Sequence, residues 1–394
     1  MVIQLIHKKL TPILIVLSFL NFPIFSLLRL SDLIIIFLSL FNPRFHKILI
    51  IFSTLCSLHF MIVINLGNLN LFWYVKFLIA FATLVTLNKY VRLELSKSVN
   101  LLKLSLMMFI SWVYIKLVLV FTGIINGSFR VSFPTADFSI VDSHLYAQVL
   151  TILGISFGIV AYLRSGFERP NPLFAIIIGG VWLLANVLTS SRNGIVITLI
   201  VLIFCFLVHI FKTVVRLKIA KYNGNVLALI MFIVFITFQN ISNIQISEQI
   251  YSLIDRSMNS LSLLDGSTSV RLRELNMVLY EVDSWTSFLG NSIFSGRIGF
   301  YDGVLTLSLA IFGTLLTGLF MLATLFLLMY LFVVKKLYYT TGILIVYCMQ
   351  NLISEFVFVS RGAVFSLFAI LVVFRTEQEV NRRKASMDVS GNNV

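Results

Sequence analysis

The sequence predicts an all-α, polytopic integral membrane protein of about 12 transmembrane helices. Three observations carry that prediction. Of 394 residues, 59% are hydrophobic and 12% charged, with a mean hydropathy of +1.00, a composition that a membrane bundle needs and a water-soluble core does not. Apolar runs recur along the whole chain, most of them approaching the ~20 residues that cross about 30 Å of hydrocarbon. The basic residues alternate between dense and sparse from one connecting segment to the next, as they do around membrane spans.

Taken in order, the spans fall at 10–26, 30–41, 47–64, 71–88, 101–122, 144–162, 172–189, 193–211, 225–238, 311–334, 340–356 and 361–374. The first follows His7-Lys8-Lys9, which imitates a secretory signal. No small-residue cleavage site comes after it, and Asn21, Pro23 and Arg29 lead into more apolar sequence, so an uncleaved span is expected. The first two spans are short and the ninth thin. From Gly303 to Val334 the apolar run is too long for one helix, and Gly313 is the expected break, with Asp302 to Ile311 partly embedded or interfacial. Residues 1–374 then form one transmembrane domain that includes the loop 239–303, and 375–394 form a hydrophilic cytoplasmic tail expected to be disordered. Cys56, Cys205 and Cys348 all lie inside apolar runs, which excludes a disulfide framework and a cysteine metal site.

Orientation follows from the cations. With the N-terminus in the cytoplasm, the segments on that side hold 20 of the 30 basic residues and the outer segments hold 8, the other two, Lys76 and Lys116, lying within spans. Every outer cation is an arginine. Acids divide the other way, 11 of 16 outside. The pI of about 9.8 alone would suit a nucleic-acid binder, but charges distributed in this way belong to membrane topology, and no nucleic-acid partner is expected. Two outer segments are more than turns: about 123–143, and the large late loop 239–303. In the latter, "STSVRLRELNMVLYEVDSW" places Val270, Leu275, Val278, Leu279 and Val282 on one helical face behind a Ser/Thr cap, with Arg271, Arg273 and Glu274 in the first turn. Such helices are expected to lie over the bundle mouth rather than to form an independent domain.

Two spans open on the same pattern, "TSSRNGIVI" from Thr189 and "VSRGAVFSL" from Val359. Serine caps suit a helix start, whereas an arginine there opposes the helix dipole. The pair makes electrostatic sense if an anion binds, because exposed N–H groups plus a guanidinium fork form a phosphate site. The plainer alternative is that Arg192 and Arg361 snorkel to lipid headgroups. Ionisable groups within or beside spans also gather on the outer half: Lys76, Lys116, Asp32, Asp142, His144 and Glu355. Lys76 could equally snorkel outward.

These features resemble the O-antigen polymerase and O-antigen ligase family. The resemblance rests on the span layout, the large late outer loop, "TSSRNG" opening a middle span, and "RELNMVLYEVDSWTSFLGNSIFSG" followed by "YDGVLTLSLAIFGTLLTGL". It covers most of the chain by layout, with short local motifs. It implies a membrane glycosyltransferase fold of the C type, acting on undecaprenyl-diphosphate-linked glycans at the periplasmic face of the bacterial inner membrane. Essential periplasmic arginines are implied, with Arg192 and Arg273 as the counterparts here. Membrane lipid and a chain-length regulator are the further implied partners. Ligases carry a loop histidine where this chain has Asp302-Gly303, and the loop 239–303 holds no histidine, which favours the polymerase.

The reaction so implied moves a growing glycan from its lipid diphosphate to a hydroxyl of the next lipid-linked repeat. Arginines held in a poorly hydrated outer cavity would stabilise charge on the leaving diphosphate without a metal or other cofactor. Arg192, Arg273 and Arg361 are assigned that task, with Arg271 and Arg297 behind them. Asp302, then Glu355, then Asp142 are the candidates to accept the hydroxyl proton. Each has an ordinary alternative: a helix cap for Asp142 or Asp302, an ion pair with Arg361 for Glu355. His144 is a span-end cap or sugar contact, and Trp285 suits stacking on a sugar face or an interfacial aromatic belt. A lipid-linked-oligosaccharide flippase would show deep central cations and two similar halves, and an ion-coupled transporter would show midplane acids; the sequence displays neither pattern. The ligase is the nearest alternative chemistry.

Overall fold

The computed structural model describes residues 2–20, 29–43, 45–47, 49–51, 53–54, 71–122, 124, 131–134, 143–165, 172–189, 304–353 and 360–391. These residues are 92% helical and contain no strand. The principal helices are α1 (Val2–Leu20), α2 (Leu30–Leu40), α3 (Leu71–Leu93), α4 (Leu95–Phe121), α5 (Ser143–Ser165), α6 (Pro172–Leu188), α7 (Val304–Met329), α8 (Tyr338–Ile353) and α9 (Ser360–Gly391). Three described helices are long and apolar enough to cross a membrane: Leu95–Val120, Leu145–Arg164 and Gly313–Val334. A fourth crossing arises if α2 and the short helix Phe45–Ile51, bent by 102°, act together. Alone, the 11 residues of α2 rise only about 16 Å, so the expected span 30–41 is not a complete crossing. The expected spans 193–211 and 225–238, and the loop 239–303, lie outside the described residues.

The pattern of α4 shows why it packs as it does. Ser98, Leu102, Ser105, Phe109, Val113, Lys116 and Val120 are all buried, at the alternating three- and four-residue steps of one helical stripe. Met107, Ile115 and Val118 on the other side are exposed. By contrast α9 is buried all round from Ala363 to Val373, the signature of a central helix. It packs most extensively on α5 and α3, and also on α4, α8 and α1. At the periphery, only 11% of the Gly313–Val334 span is buried against 67% for Leu145–Arg164, so α7 presents its leucines and phenylalanines outward.

Gly313 interrupts α7 at φ 70° and ψ 179°, a left-handed φ that a side chain resists. The break expected in the long apolar run is thus present at that residue. Downstream, α7 widens into a π turn over Tyr330–Val334, and the chain leaves it through Lys336 at φ 52°. The N–H groups of Lys335 and Leu337 close on the carbonyls of Tyr330 and Leu331 at 3.0 and 2.9 Å, satisfying acceptors that a helix end leaves open.

The helices alternate in direction, so their ends collect at two poles. One pole is a polar collar. Glu94, between α3 and α4, pairs with Lys8 of α1 and, at 3.1 Å, with Lys97. Arg375 of α9 reaches Asn88 at the end of α3 at 2.7 Å. Glu377 of α9 accepts from the N–H groups of Tyr339 and Thr340 at 3.0 and 2.9 Å and from the Thr340 hydroxyl at 2.7 Å. Tyr339 also packs on Tyr162 at the end of α5, rings 5.8 Å apart. Glu377 therefore caps the first turn of α8, a site that favours an acid.

That capping corrects the expected tail. Residues from Arg375 onward continue α9 as helix to Gly391, and Thr376, Glu377 and Val380 are buried. Composition alone reads this stretch as hydrophilic, but its first turns face α8 and α3, where Glu377 and the Arg375 guanidinium find partners. The start of α1 differs similarly: the helix begins at Val2, so Lys8 and Lys9 lie inside it rather than ahead of it.

Candidate functional site

The candidate site belongs to the far pole, where α1 ends, α4 and α6 run out and α5 and α9 begin. Arg192, Arg271, Arg273, Arg297, Asp302, Asp142, Trp285 and Glu355 lie outside the described residues. Two candidates are placed by their backbone. His144 falls in the first turn of α5 and Arg361 in the first turn of α9, so the second Ser-Arg pattern opens a helix at the far pole, and that helix is the central one.

Below those helix starts the described wall is closely built. Phe109 of α4 is ringed by Phe19, Phe133, Tyr146 and Phe365, with centroids 4.7 to 5.6 Å away. The Tyr146 hydroxyl donates to the Phe109 carbonyl. Phe133 comes from a non-helical piece, residues 131–134, whose Val131, Ser132 and Phe133 are all buried. Trp112 secures it by donating its indole N–H to the Ser132 carbonyl at 2.8 Å. Non-helical backbone beside a membrane helix is stable only where protein or a wet cavity surrounds it, and residues 131–133 of the segment 123–143 are packed into the bundle.

The α5–α6 contact is set by Gly154. A Cβ there would stand 2.1 Å from Trp182 Nε1, so only glycine admits the indole. Trp182 then donates to the Leu150 carbonyl at 2.9 Å. One turn on, Thr151 Oγ1 donates to Asn186 Oδ1 at 2.9 Å, and the Asn186 amide returns to the Trp182 carbonyl. Thr189, which begins the first Ser-Arg pattern, donates its hydroxyl to the Asn186 carbonyl at 2.7 Å and ends α6.

The far half also buries long polar side chains: Lys76, Lys116, Gln148, Asn186, Gln350 and Asn351. Lys76 is buried, not extended toward solvent. Lys116 is 3% exposed on the core stripe of α4, one turn beyond Trp112, with no hydrogen bond or ion pair among the described residues. Asp32 is buried as well and acts locally, accepting the Arg29 N–H at 3.1 Å at the start of α2. Sequence reasoning did not single out Gln148, Asn186, Gln350, Asn351 or the Val131–Pro134 segment. Amides inside apolar runs, and the proline closing Ser-Phe-Pro, were the available signals.

Titration is perturbed at the collar. His7, which precedes the expected first span, is buried with neither ring nitrogen hydrogen-bonded, and burial first and the Lys89 charge second hold its pKa down at about 4. Hydrogen bonds from Lys8 and Lys97 lower that of Glu94. Tyr339 is pushed up to about 12 by burial, then by the Tyr162 hydrogen bond and charge and by the Glu377 charge. Among the described residues no group of three or more His, Cys, Asp or Glu could hold a metal ion.

No protein-family model matches the chain, and neither a curated protein nor a solved structure matches it.

Proposed function

We propose that this chain is a surface-polysaccharide polymerase of the O-antigen type. On this reading about 12 spans form a C-type glycosyltransferase bundle in the bacterial inner membrane, with both termini cytoplasmic. The enzyme joins undecaprenyl-diphosphate-linked repeat units at the periplasmic face. The collar would be the cytoplasmic end. Its lysines and arginines, drawn from α1, α3, α4, α5, α9 and the turn between α7 and α8, suit the side that retains positive charge.

The observation that carries the reading is the start of α9. A central helix opens on Ser360-Arg361 at the pole opposite the collar, and the sequence repeats that pattern at Ser191-Arg192. Helix N–H groups and guanidinium forks together suit a diphosphate. In the proposed reaction Arg192, Arg273 and Arg361, with Arg271 and Arg297, hold the leaving diphosphate, and an acid among Asp302, Glu355 and Asp142 takes the proton of the attacking hydroxyl.

Deletion followed by gel analysis of surface glycan tests the activity. A polymerase deletion leaves single repeats attached to their acceptor. Loss of all attached glycan would point to the ligase, and repeats stranded on the cytoplasmic leaflet would point to a flippase. Arg192→Lys tests the site: shortened or depleted polymer is expected because an ammonium cannot donate bidentately, and unchanged length and yield would remove the diphosphate role.

A further inference from the structure

We infer that Lys116 is an anion-binding lysine that meets a phosphate group reaching the bundle from the far pole. Four observations support it. Lys116 lies on the core stripe of α4 in line with Phe109 and Val113, while the exposed flank of the helix is carried by Ile115 and Val118. At 3% exposure it does not extend into lipid or solvent. No acid or acceptor among the described residues meets it. It stands one turn beyond Trp112, which clamps the buried, non-helical Val131–Pro134 segment through the Ser132 carbonyl. Irregular backbone at membrane depth and an intramembrane cation are each associated with binding sites, and here Trp112, which holds the one, is a single helical turn from the other.

An ammonium with so little access to water favours a counter-charge, and its neighbours on the stripe, Phe109, Val113 and Val120, offer none. Lys116 precedes the end of α4, Phe121, by five residues, or about 8 Å. Its depth therefore suits a headgroup-level phosphate better than an ion at the midplane. The identity of that phosphate as a polyprenyl diphosphate rests on the proposed function; the anion site itself does not.

The test uses the full chain in phosphatidylcholine nanodiscs with farnesyl diphosphate as the probe, read by calorimetry and by the shift in unfolding temperature, with farnesol as the uncharged control. Wild type should bind the diphosphate and not farnesol. Lys116→Met should weaken binding about 10- to 100-fold, the scale of one charge-assisted hydrogen bond, and Lys116→Arg should stay within a few-fold of wild type. Lys116→Gln gives the same readout if the methionine variant does not fold. Equal binding by wild type and both neutral variants would overturn the lysine site and leave the polymerase reading standing. If wild type ignores farnesyl diphosphate yet is stabilised by phosphatidylglycerol nanodiscs, and Lys116→Met loses that effect, the site stands with a lipid headgroup as its source and the polymerase substrate is wrong. No response to either phosphate would overturn the site.

Discussion

The two poles of the bundle solve the same problem in opposite ways. Each must bury polar side chains against apolar helices. At the collar most of them are short or paired: Ser98 and Thr341 donate to carbonyls one turn back, and Glu377 takes three donors from α8, with His7 the exception. In the far half they are long amides and lysines; Asn186 and Asn351 are hydrogen-bonded, while Lys116 has no partner among the described residues. A paired network holds helices together, whereas the ammonium of Lys116 is available to a ligand. The collar is therefore the structural end, and the far half is where binding would be placed.

That contrast can be broken or sharpened by experiment. Glu377→Ala should have the largest effect, because it removes three bonds and leaves two N–H groups of α8, one buried and one part-buried, without their acceptor. A loss of about 4 kcal/mol is expected, read as unfolding in detergent with ligand binding per folded molecule unchanged. If binding fell while stability held, the division between poles would be wrong.

His7 comes next. Its folded pKa is depressed to about 4 from 6.5, so the unfolded chain binds the extra proton first as pH falls. The stability it contributes is complete above about pH 6.5, declines as pH drops, and is gone below about pH 4. The full swing is about 3 kcal/mol. Melting curves from pH 7 to pH 4 should show it, and His7→Gln should flatten the slope. Glu94, also depressed, adds a decline of the same sign but only below its ordinary range near pH 4.5.

Gly154→Ala should cost about 2 kcal/mol by driving a Cβ into Trp182 and breaking its bond to Leu150. Because this lies in the far half, binding should suffer along with stability, measured as paired affinity and melting shifts. A drop in stability alone would show that the α5–α6 wall does not shape the site. The smallest effect is of opposite sign. Lys336→Gly should raise stability by about 0.5 kcal/mol, since glycine adopts φ 52° without strain, and binding should not change.

Much of the helical framework was legible in the chain. Apolar runs of membrane length mark α4, α5 and the span from Gly313, and a single glycine marks the break in α7, because both depend on residues near in sequence. The helix opened by Ser360-Arg361 was legible for the same reason. The tail was misjudged since Glu377 reads as solvent-loving until α8 supplies its partners across the bundle. The amides Gln148 and Asn186 passed unnoticed within apolar runs, where hydropathy averages hide them.

The sequence by itself determined that the chain is helical and apolar enough for a membrane, and how its charges divide between connecting segments. Those properties sum over neighbours along the chain. Only the tertiary structure decided which lysine is buried without a partner among the described residues, which acid is a cap, and which loop segment enters the bundle. Each of those depends on what a side chain meets from a helix distant in sequence, and burial changes the cost of a charge far more than composition can reveal.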